Sequence, residues 1–411
     1  MTLTKTSFTG AFWLGLLKVV IKAFSFLKIV IVARILSPTD LGLFGIVLLP
    51  YGLVEVMTES GINQALVQTQ KDVRSYLSSA WVAFFFRGIL IGGLLYLSAP
   101  LISRFYGRDL NLAIRLISLT PVLKGLANPA VVLFLKNLNF KKEFAYQSLA
   151  SIVESLATII FVLVLRNMLA LPLGVVVGGL AALVFSFVFA PLQLIKVSFN
   201  KIKELYHYGK WVTIGTFMSF INDQGDDFFV SKFLGAYPLG LYQTAYKISN
   251  LPTTQGAGLI YSIIFPIFSS IQTDKVRLRR GLLKSLAITF VLSLTFAAGV
   301  YLFAPFFVRL FLGEIWLAMI PALNVLLLFG ITRPLISAGS AVFDAVGQPK
   351  TVASINLIRL SLMVILLYPL TKLWGIVGTS WAVVIAQISV YPWFVIKLKK
   401  ALSVTTNLRA S

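Results

Sequence analysis

The sequence predicts an all-α polytopic membrane protein, with about 12 transmembrane helices in two pseudo-symmetric six-helix lobes around a central cleft. Three observations predict it. The 411 residues are 58% hydrophobic and only 12% charged, with a mean hydropathy of +0.90. Soluble domains are about 45–50% apolar and about 25% charged. Apolar runs of about 18 residues or more recur along the whole chain, long enough for helices that cross a bilayer. A membrane barrel would show short alternating segments instead. Third, one corner is written twice: ARILSPTDLGLF (Ala33–Phe44) returns as SKFLGAYPLGLY (Ser231–Tyr242), 198 residues later.

The apolar runs place spans at 10–33, 41–60, 77–103, 111–135, 144–165, 169–193, 210–233, 239–267, 281–311, 315–345, 350–371 and 374–396. Turn formers fill the tight linkers: Ser37-Pro38-Thr39-Asp40, Gly107-Arg108-Asp109 and Gly235-Ala236-Tyr237-Pro238. Such linkers leave no room for a soluble domain. The longest lies near 194–210 and divides the chain into an N-terminal lobe (1–195), a cytoplasmic linker (196–209) holding His207, and a C-terminal lobe (210–411). The first apolar run holds Lys18, Lys22 and Lys28 and lacks an Ala-x-Ala exit, so no cleavable signal peptide is expected.

Basic residues orient the spans, because Lys and Arg are retained on the cytoplasmic side. One side collects 20 of them, among them Lys71, Lys141, Lys142, Lys201, Arg277, Arg279, Arg280 and Lys397; the other holds 7, such as Arg34, Arg108 and Lys372. Both termini are then cytoplasmic. The net charge of +22 is that of a lipid-facing body with basic loops rather than a nucleic-acid binder. RLRR (Arg277–Arg280) reads as an anchor on anionic lipid.

The repeated corner ends the first span of each six-span half. The echo continues in APLISRFYG (Ala99–Gly107) against APFFVRLFLG (Ala304–Gly313), and in NFKK (Asn139–Lys142) against QPK (Gln348–Lys350). Copies an even number of spans apart share one orientation, so the halves are parallel repeats about an axis along the membrane normal. Two such lobes that rock could open a cleft to one side and then the other.

The corner ARxLxPxDxG (Ala33, Arg34, Leu36, Pro38, Asp40, Gly42) resembles the start of bacterial polysaccharide flippases. So do GINQALVQ (Gly61–Gln68), LNFKK after the fourth span, HYGKW opening the second half, and DDFFVSKFLGAYPLGLY. These flippases are the O-antigen and polysaccharide exporter branch of the multidrug/oligosaccharidyl-lipid/polysaccharide superfamily. The likeness covers most of the chain in order, although many relatives carry extra spans or a longer tail. It implies a flippase that moves an undecaprenyl-pyrophosphate-linked oligosaccharide from the cytoplasmic to the outer leaflet of the bacterial inner membrane by alternating access, for O-antigen, lipopolysaccharide or other surface polysaccharide biosynthesis. Its partners would be that polyprenyl-pyrophosphate-linked oligosaccharide and membrane lipid, with a polysaccharide polymerase and chain-length machinery as candidate neighbours and no nucleic acid. A monomer is expected, with no cofactor, no metal and no enzyme activity.

Charges at membrane depth cost on the order of several kcal/mol unless they face water or a partner. Lys18 and Lys22 share one face of the first span. Arg87 lies mid-way along the third, Lys124 in the fourth, Lys247 in the eighth, Arg333 in the tenth and Arg359 in the eleventh. Read together they form a cationic cleft suited to a pyrophosphate, with Lys18, Lys22, Lys247 and Arg87 as its seat. Alternatively each base snorkels or pairs with a buried acid.

The acids are fewer: Glu55 and Glu59 in the second span, Glu154 in the fifth, and Asp223, Asp226 and Asp227 around Gly225 in the seventh. Carboxylates this crowded are either neutralised by a cation or hold a proton. Glu55, Glu154, Asp223, Asp226 and Asp227 are therefore candidates for proton or sodium coupling. The alternative is structural pairing, with the repeat offset setting Asp226 against Lys28 of the other half.

Several functions are excluded. There is no cysteine and one histidine, so thiolate, disulfide and His-based catalytic or zinc chemistry is ruled out. No phosphate-binding loop is present, so the chain does not hydrolyse nucleotide. An ion-coupled multidrug exporter of the same superfamily remains as an alternative, although organic cations call for acidic cavities. A membrane glycan polymerase is a further one, set back by the missing outer loop.

Overall fold

The computed structural model describes residues 16, 20–21, 23–58, 61–68, 71–137, 139–190, 197–257, 264–265, 267–272 and 274–403. Among them are helices and turns and no strand. Seven of these helices are long and apolar enough to cross a bilayer, and eight if the bent pair Asn111–Leu126 and Pro129–Lys136 is one span. The chain is a multi-pass helical membrane protein. Packing divides it into two units, Met1–Gln224 and Gly225–Ser411.

In the first unit, α1 (residues 23–35) leads into α2 (Pro38–Met57) through the SPTD corner. The corner is a capping box. Ser37 Oγ accepts from the Asp40 amide at 3.2 Å, and the Asp40 carboxylate accepts from the Ser37 amide at 3.0 Å. Pro38 supplies the preset first helical residue. α2 stops at Met57, three residues short of the expected end of the second span, and the helix resumes as α3 (Ile62–Gln68). The long α4 (Arg74–Tyr106) follows.

The fourth span, expected to be continuous over 111–135, is broken. It consists of α5 (Asn111–Ile117) and α6 (Leu119–Leu126), then α7 (Val132–Lys136) after a bend of 67°. Pro129 is the cause: its ring pushes the preceding residue out of helical conformation, and Asn128 is extended (φ −68°, ψ 114°). The backbone and side-chain groups at the break find partners within the protein. Asn128 donates its backbone N–H to Ser186 Oγ and its side-chain amide to the Ala190 carbonyl, and Trp81 Nε1 donates to the Leu126 carbonyl. Non-helical backbone at membrane depth is tolerated only when it is satisfied in this way.

α8 (Phe140–Leu165) and α9 (Ala170–Phe189) form an antiparallel pair. α10 (Phe199–Phe233) begins well before residue 210. The stretch expected to be a linker loop is therefore helical, and His207 stands on that helix, its side chain outside the described residues. The start of α10 is clasped to the start of α4. Ser198 N–H donates to Ser79 Oγ at 3.0 Å, and Lys201 Nζ to the Ser75 carbonyl at 2.9 Å. Glu204 accepts from Tyr76 Oη at 2.9 Å and pairs with Lys71 Nζ at 2.6 Å.

In the second unit, the rest of α10 turns at Gly235 (φ 91°, ψ −171°) into α11 (Ala236–Ser249). This is the second copy of the repeated corner. Here a glycine in a backbone region closed to other residues replaces the side-chain cap of Ser37. A wide helical turn, Pro252–Ala257, follows α11. Then come α12 (Lys275–Phe307), α13 (Ile320–Ala345), α14 (Pro349–Ser389) and α15 (Tyr391–Leu402). α14 is two helices joined at Trp374 (φ −128°, ψ 18°) and Gly375 (φ 56°, ψ −136°). That joint falls between the eleventh and twelfth apolar runs of the sequence.

α4 crosses α6 so closely that a Cβ on Gly88 would lie 2.4 Å from the Pro121 carbonyl oxygen, whereas one on Gly93 of the same helix meets nothing within 4 Å. Gly88→Ala should therefore lower stability by about 1–3 kcal/mol, and Gly93→Ala should not. Thermal unfolding of both variants in detergent checks this; equal melting would contradict the crossing.

The clasp predicts a pH response. Its hydrogen bonds to Lys71 and Tyr76 lower the Glu204 carboxyl below its ordinary 4.5. Its hydrogen bond to Glu204 raises Lys71 above its ordinary 10.5. The Glu204 contribution is present above the unfolded carboxylate value and is lost as pH falls through the lowered one. The Lys71 contribution is present below 10.5 and is lost as pH rises through the raised value. Amide exchange over residues 197–204 should accelerate, after correction for intrinsic rate, on acidification below the ordinary carboxylate range. Glu204→Gln should show no such step; an equal step in that variant would contradict the clasp.

Candidate functional site

The basic residues singled out at membrane depth have partners of two kinds. Arg87 lies thirteen residues into α4, about 20 Å along the helix at about 1.5 Å per residue. Its guanidinium donates through Nε to the Thr58 carbonyl and through Nη2 to the Glu55 carbonyl, both at 2.7 Å. These carbonyls belong to the C-terminal end of α2. A helix end leaves its last carbonyls without intrahelical donors and carries partial negative charge. The end of α2 is thus an acceptor site, and Arg87 fills it.

Lys124 approaches the same helix end from α6, in the last turn before the break of the fourth span. Its Nζ donates to Tyr51 Oη at 2.8 Å and to Glu55 Oε1 at 2.9 Å. The Lys124 side chain is 54% exposed and that of Glu55 28%. Arg87, Lys124, Glu55 and Tyr51 therefore form one cluster in the first unit, where the end of α2 meets the interrupted fourth span. Discontinuous membrane helices mark binding sites in many transporters, because their ends offer fixed charge.

Lys28 of α1 pairs with Glu154 of α8 at 2.8 Å. This is an ion pair within the first unit, joining the lysine that the repeat offset sets against Asp226 to an acid considered for ion coupling. Lys18, Lys22 and Glu59 lie outside the described residues. Asp223 stands half-buried on α10 in the first unit.

The second unit holds a separate polar chain. Asp226 and Asp227 on α10 are buried, at 2% and 7% exposure. Tyr242 of α11 donates its hydroxyl to Asp226. Asp226 Oδ1 also accepts the Asp227 backbone N–H at 3.0 Å, and Gln243 Nε2 donates to Asp227 at 2.8 Å. Lys247 stands exposed on α11, a little over one turn from Tyr242 and Gln243. Tyr246 stacks between Tyr242 and Phe329 and receives a hydrogen bond from Arg333 Nη1 at 3.0 Å. Arg333 also lies over the Phe329 ring at 5.4 Å. Arg359 donates to Gln387 Oε1 at 3.1 Å across the two halves of α14.

Sequence reasoning missed the neutral members of both clusters: Tyr51, Thr58, Tyr242, Gln243, Tyr246 and Gln387. A signal was present for some. Tyr51 and Glu55, like Tyr242 and Tyr246, are four residues apart and so share a helix face. The pairs Asp226–Tyr242 and Asp227–Gln243 both straddle the turn at Gly235, as facing residues of a helical hairpin do.

A model of a family described as "Polysaccharide biosynthesis protein" matches residues 31–321. The chain belongs to this family. Among related sequences, an uncharacterized membrane protein in the cps region of Klebsiella pneumoniae is 23% identical over 393 residues, covering 94% of this chain and 81% of that one. The lipopolysaccharide biosynthesis protein WzxC of Escherichia coli is 23% identical, covering 81% and 68%. Two solved structures share the fold. An inward-facing multidrug resistance MATE family transporter of the MOP superfamily superposes with a TM-score of 0.74 at 16% identity, covering 94% of this chain and 96% of that one. The lipid II flippase MurJ in an inward closed conformation superposes with a TM-score of 0.73 at 18% identity, covering 94% and 88%.

Proposed function

We propose that this family member is a flippase that carries an undecaprenyl-pyrophosphate-linked oligosaccharide from the cytoplasmic to the outer leaflet of the bacterial inner membrane. In this reading the chain forms twelve spans in two six-helix lobes, 1–195 and 210–411 joined by 196–209, with both termini cytoplasmic. The lobes alternate the access of a central site. The protein performs no covalent chemistry.

The observation that carries the reading is the cluster at the ends of α2 and α6. Two cations meet there: Arg87, about 20 Å along α4, on the carbonyl end of α2, and Lys124 on α6, just before the break in the fourth span. A half-exposed ammonium in such a place, held by one carboxylate and one phenol, is best accommodated where water reaches it. A wet, basic site inside a membrane protein suits a substrate whose lipid tail stays in the bilayer while its charged head crosses. The names of the family and of relatives such as WzxC support the class of cargo. Lys18, Lys22, Lys247, Arg333 and Arg359 are the further basic candidates for holding phosphate in this account.

The acids of the second unit supply the coupling candidates. Asp226 and Asp227 are adjacent and buried, and accept from Tyr242 and Gln243, as acids of a site that takes up a proton or a sodium ion would. Asp223, Glu154 and Glu55 are the other candidates. The same acids are what an ion-coupled drug exporter would use, so the cargo is decided by the basic cluster.

A complementation experiment tests the assignment. In a strain lacking the gene, Arg87→Ala and Lys124→Gln should insert normally, fail to restore surface polysaccharide, and leave lipid-linked glycan to accumulate, as read by mass spectrometry. Asp226→Asn should remove the dependence of export on the ion gradient. Full complementation by both basic variants would refute the proposal.

A further inference from the structure

The basic cluster of the first unit already contains an anion. Glu55 sits within hydrogen-bond distance of Lys124, in the place that a phosphate oxygen of the proposed cargo would take. Three features distinguish this pair from a structural one. First, it is open: more than half of the Lys124 side chain and more than a quarter of the Glu55 side chain are exposed. In the Lys28–Glu154 pair the lysine is more enclosed, at 24%, and Glu154 is seated directly against Gly178 of α9.

Second, Lys124 has a neutral ligand as well. Tyr51 accepts from it at 2.8 Å and its ring lies 5.5 Å below the ammonium. Lys124 therefore stays in position when the carboxylate swings away. Third, the geometry around Arg87 does not require the Glu55 carboxylate. Arg87 bonds the backbone carbonyls of Glu55 and Thr58, so the Glu55 side chain can turn without disturbing that cap. A monovalent carboxylate in a half-exposed pair is also a weak competitor, whereas a pyrophosphate presents several charge-assisted acceptors at once.

We propose that Glu55 is the resident counter-anion of the binding site: its carboxylate holds Lys124 between cargoes, is displaced when a pyrophosphate head arrives, and re-pairs with Lys124 to help expel that head. The proposal rests on the phosphate-seat reading of the cluster and assigns Glu55 a positioning role within it. An exchange of this kind offsets the charge of Lys124 when the site is empty and gives the bound head a competitor that favours its release.

Binding of farnesyl pyrophosphate to the full-length protein in nanodiscs tests it, with farnesol as the uncharged control. Glu55→Gln keeps the shape and removes the charge. It should tighten pyrophosphate binding by about five-fold, the ratio that corresponds to losing a half-exposed ion pair, and should slow release. Glu55→Ala should tighten it too, which covers the case of a poorly folded Gln variant. Lys124→Gln should weaken binding, and Glu55→Gln should bring no further gain on that background, since the two act through one contact. Unchanged or weaker binding in both Glu55 variants, with Lys124→Gln still harmful, overturns the exchange and leaves the phosphate seat intact. Binding of farnesol and farnesyl pyrophosphate alike, indifferent to Lys124, overturns the seat and the exchange together.

Discussion

The cost of a charge inside a bilayer governs this protein. Each cation at depth must meet water, an acid, a helix end or a ring, and the fold supplies all of these within its two units. Arg87 takes the carbonyl end of α2. Lys124 takes Tyr51 and Glu55, Lys28 takes Glu154, and Arg333 takes Tyr246 and the face of Phe329. The end of α2 and the break in the fourth span obey the same constraint. Interrupting a membrane helix exposes backbone groups that need partners, and the partners here include the charged residues themselves.

This arrangement separates two kinds of chemistry by unit. The first unit gathers Arg87 at a helix end and Lys124 at an interrupted span, with Glu55 as the carboxylate paired with Lys124. The second gathers two buried carboxylates on α10, bonded by a tyrosine and a glutamine of α11. A basic site suits a phosphate; an acidic site suits a small cation. A transporter that exchanges one for the other needs both, held far enough apart in sequence to be carried by different helix bundles.

Much of the fold was legible in the sequence because the bilayer imposes a simple rule. Long apolar runs become helices, and SPTD, GRD and GAYP mark the turns. The repeated corner was legible too, yet its two copies are built differently, by a Ser37 capping box and by Gly235; pattern matching sees the corner and not the bond that makes it. The break at Asn128 was written in an Asn-Pro pair inside an apolar run, where hydropathy outvoted it. The helical start of α10 was hidden because its polar residues read as a loop, and only the contacts to Lys71, Ser75, Tyr76 and Ser79 show why it is ordered. Of the candidate site, the charged residues could be found from composition alone. Their pairings could not, because Lys28 and Glu154 are 126 residues apart, and Lys124 and Glu55 are 69. No spacing rule reaches that far.

The central claim is that charge on the lipid head, met by cations at membrane depth, selects the cargo. Reconstituted liposomes test it most directly, using one oligosaccharide attached either to a polyprenyl pyrophosphate or to the same polyprenol through an uncharged ether. A lectin that cannot cross the membrane reports how much glycan has reached the outer leaflet. The account predicts protein-dependent transfer of the pyrophosphate-linked glycan and none of the ether-linked one. Equal transfer of the two would contradict it.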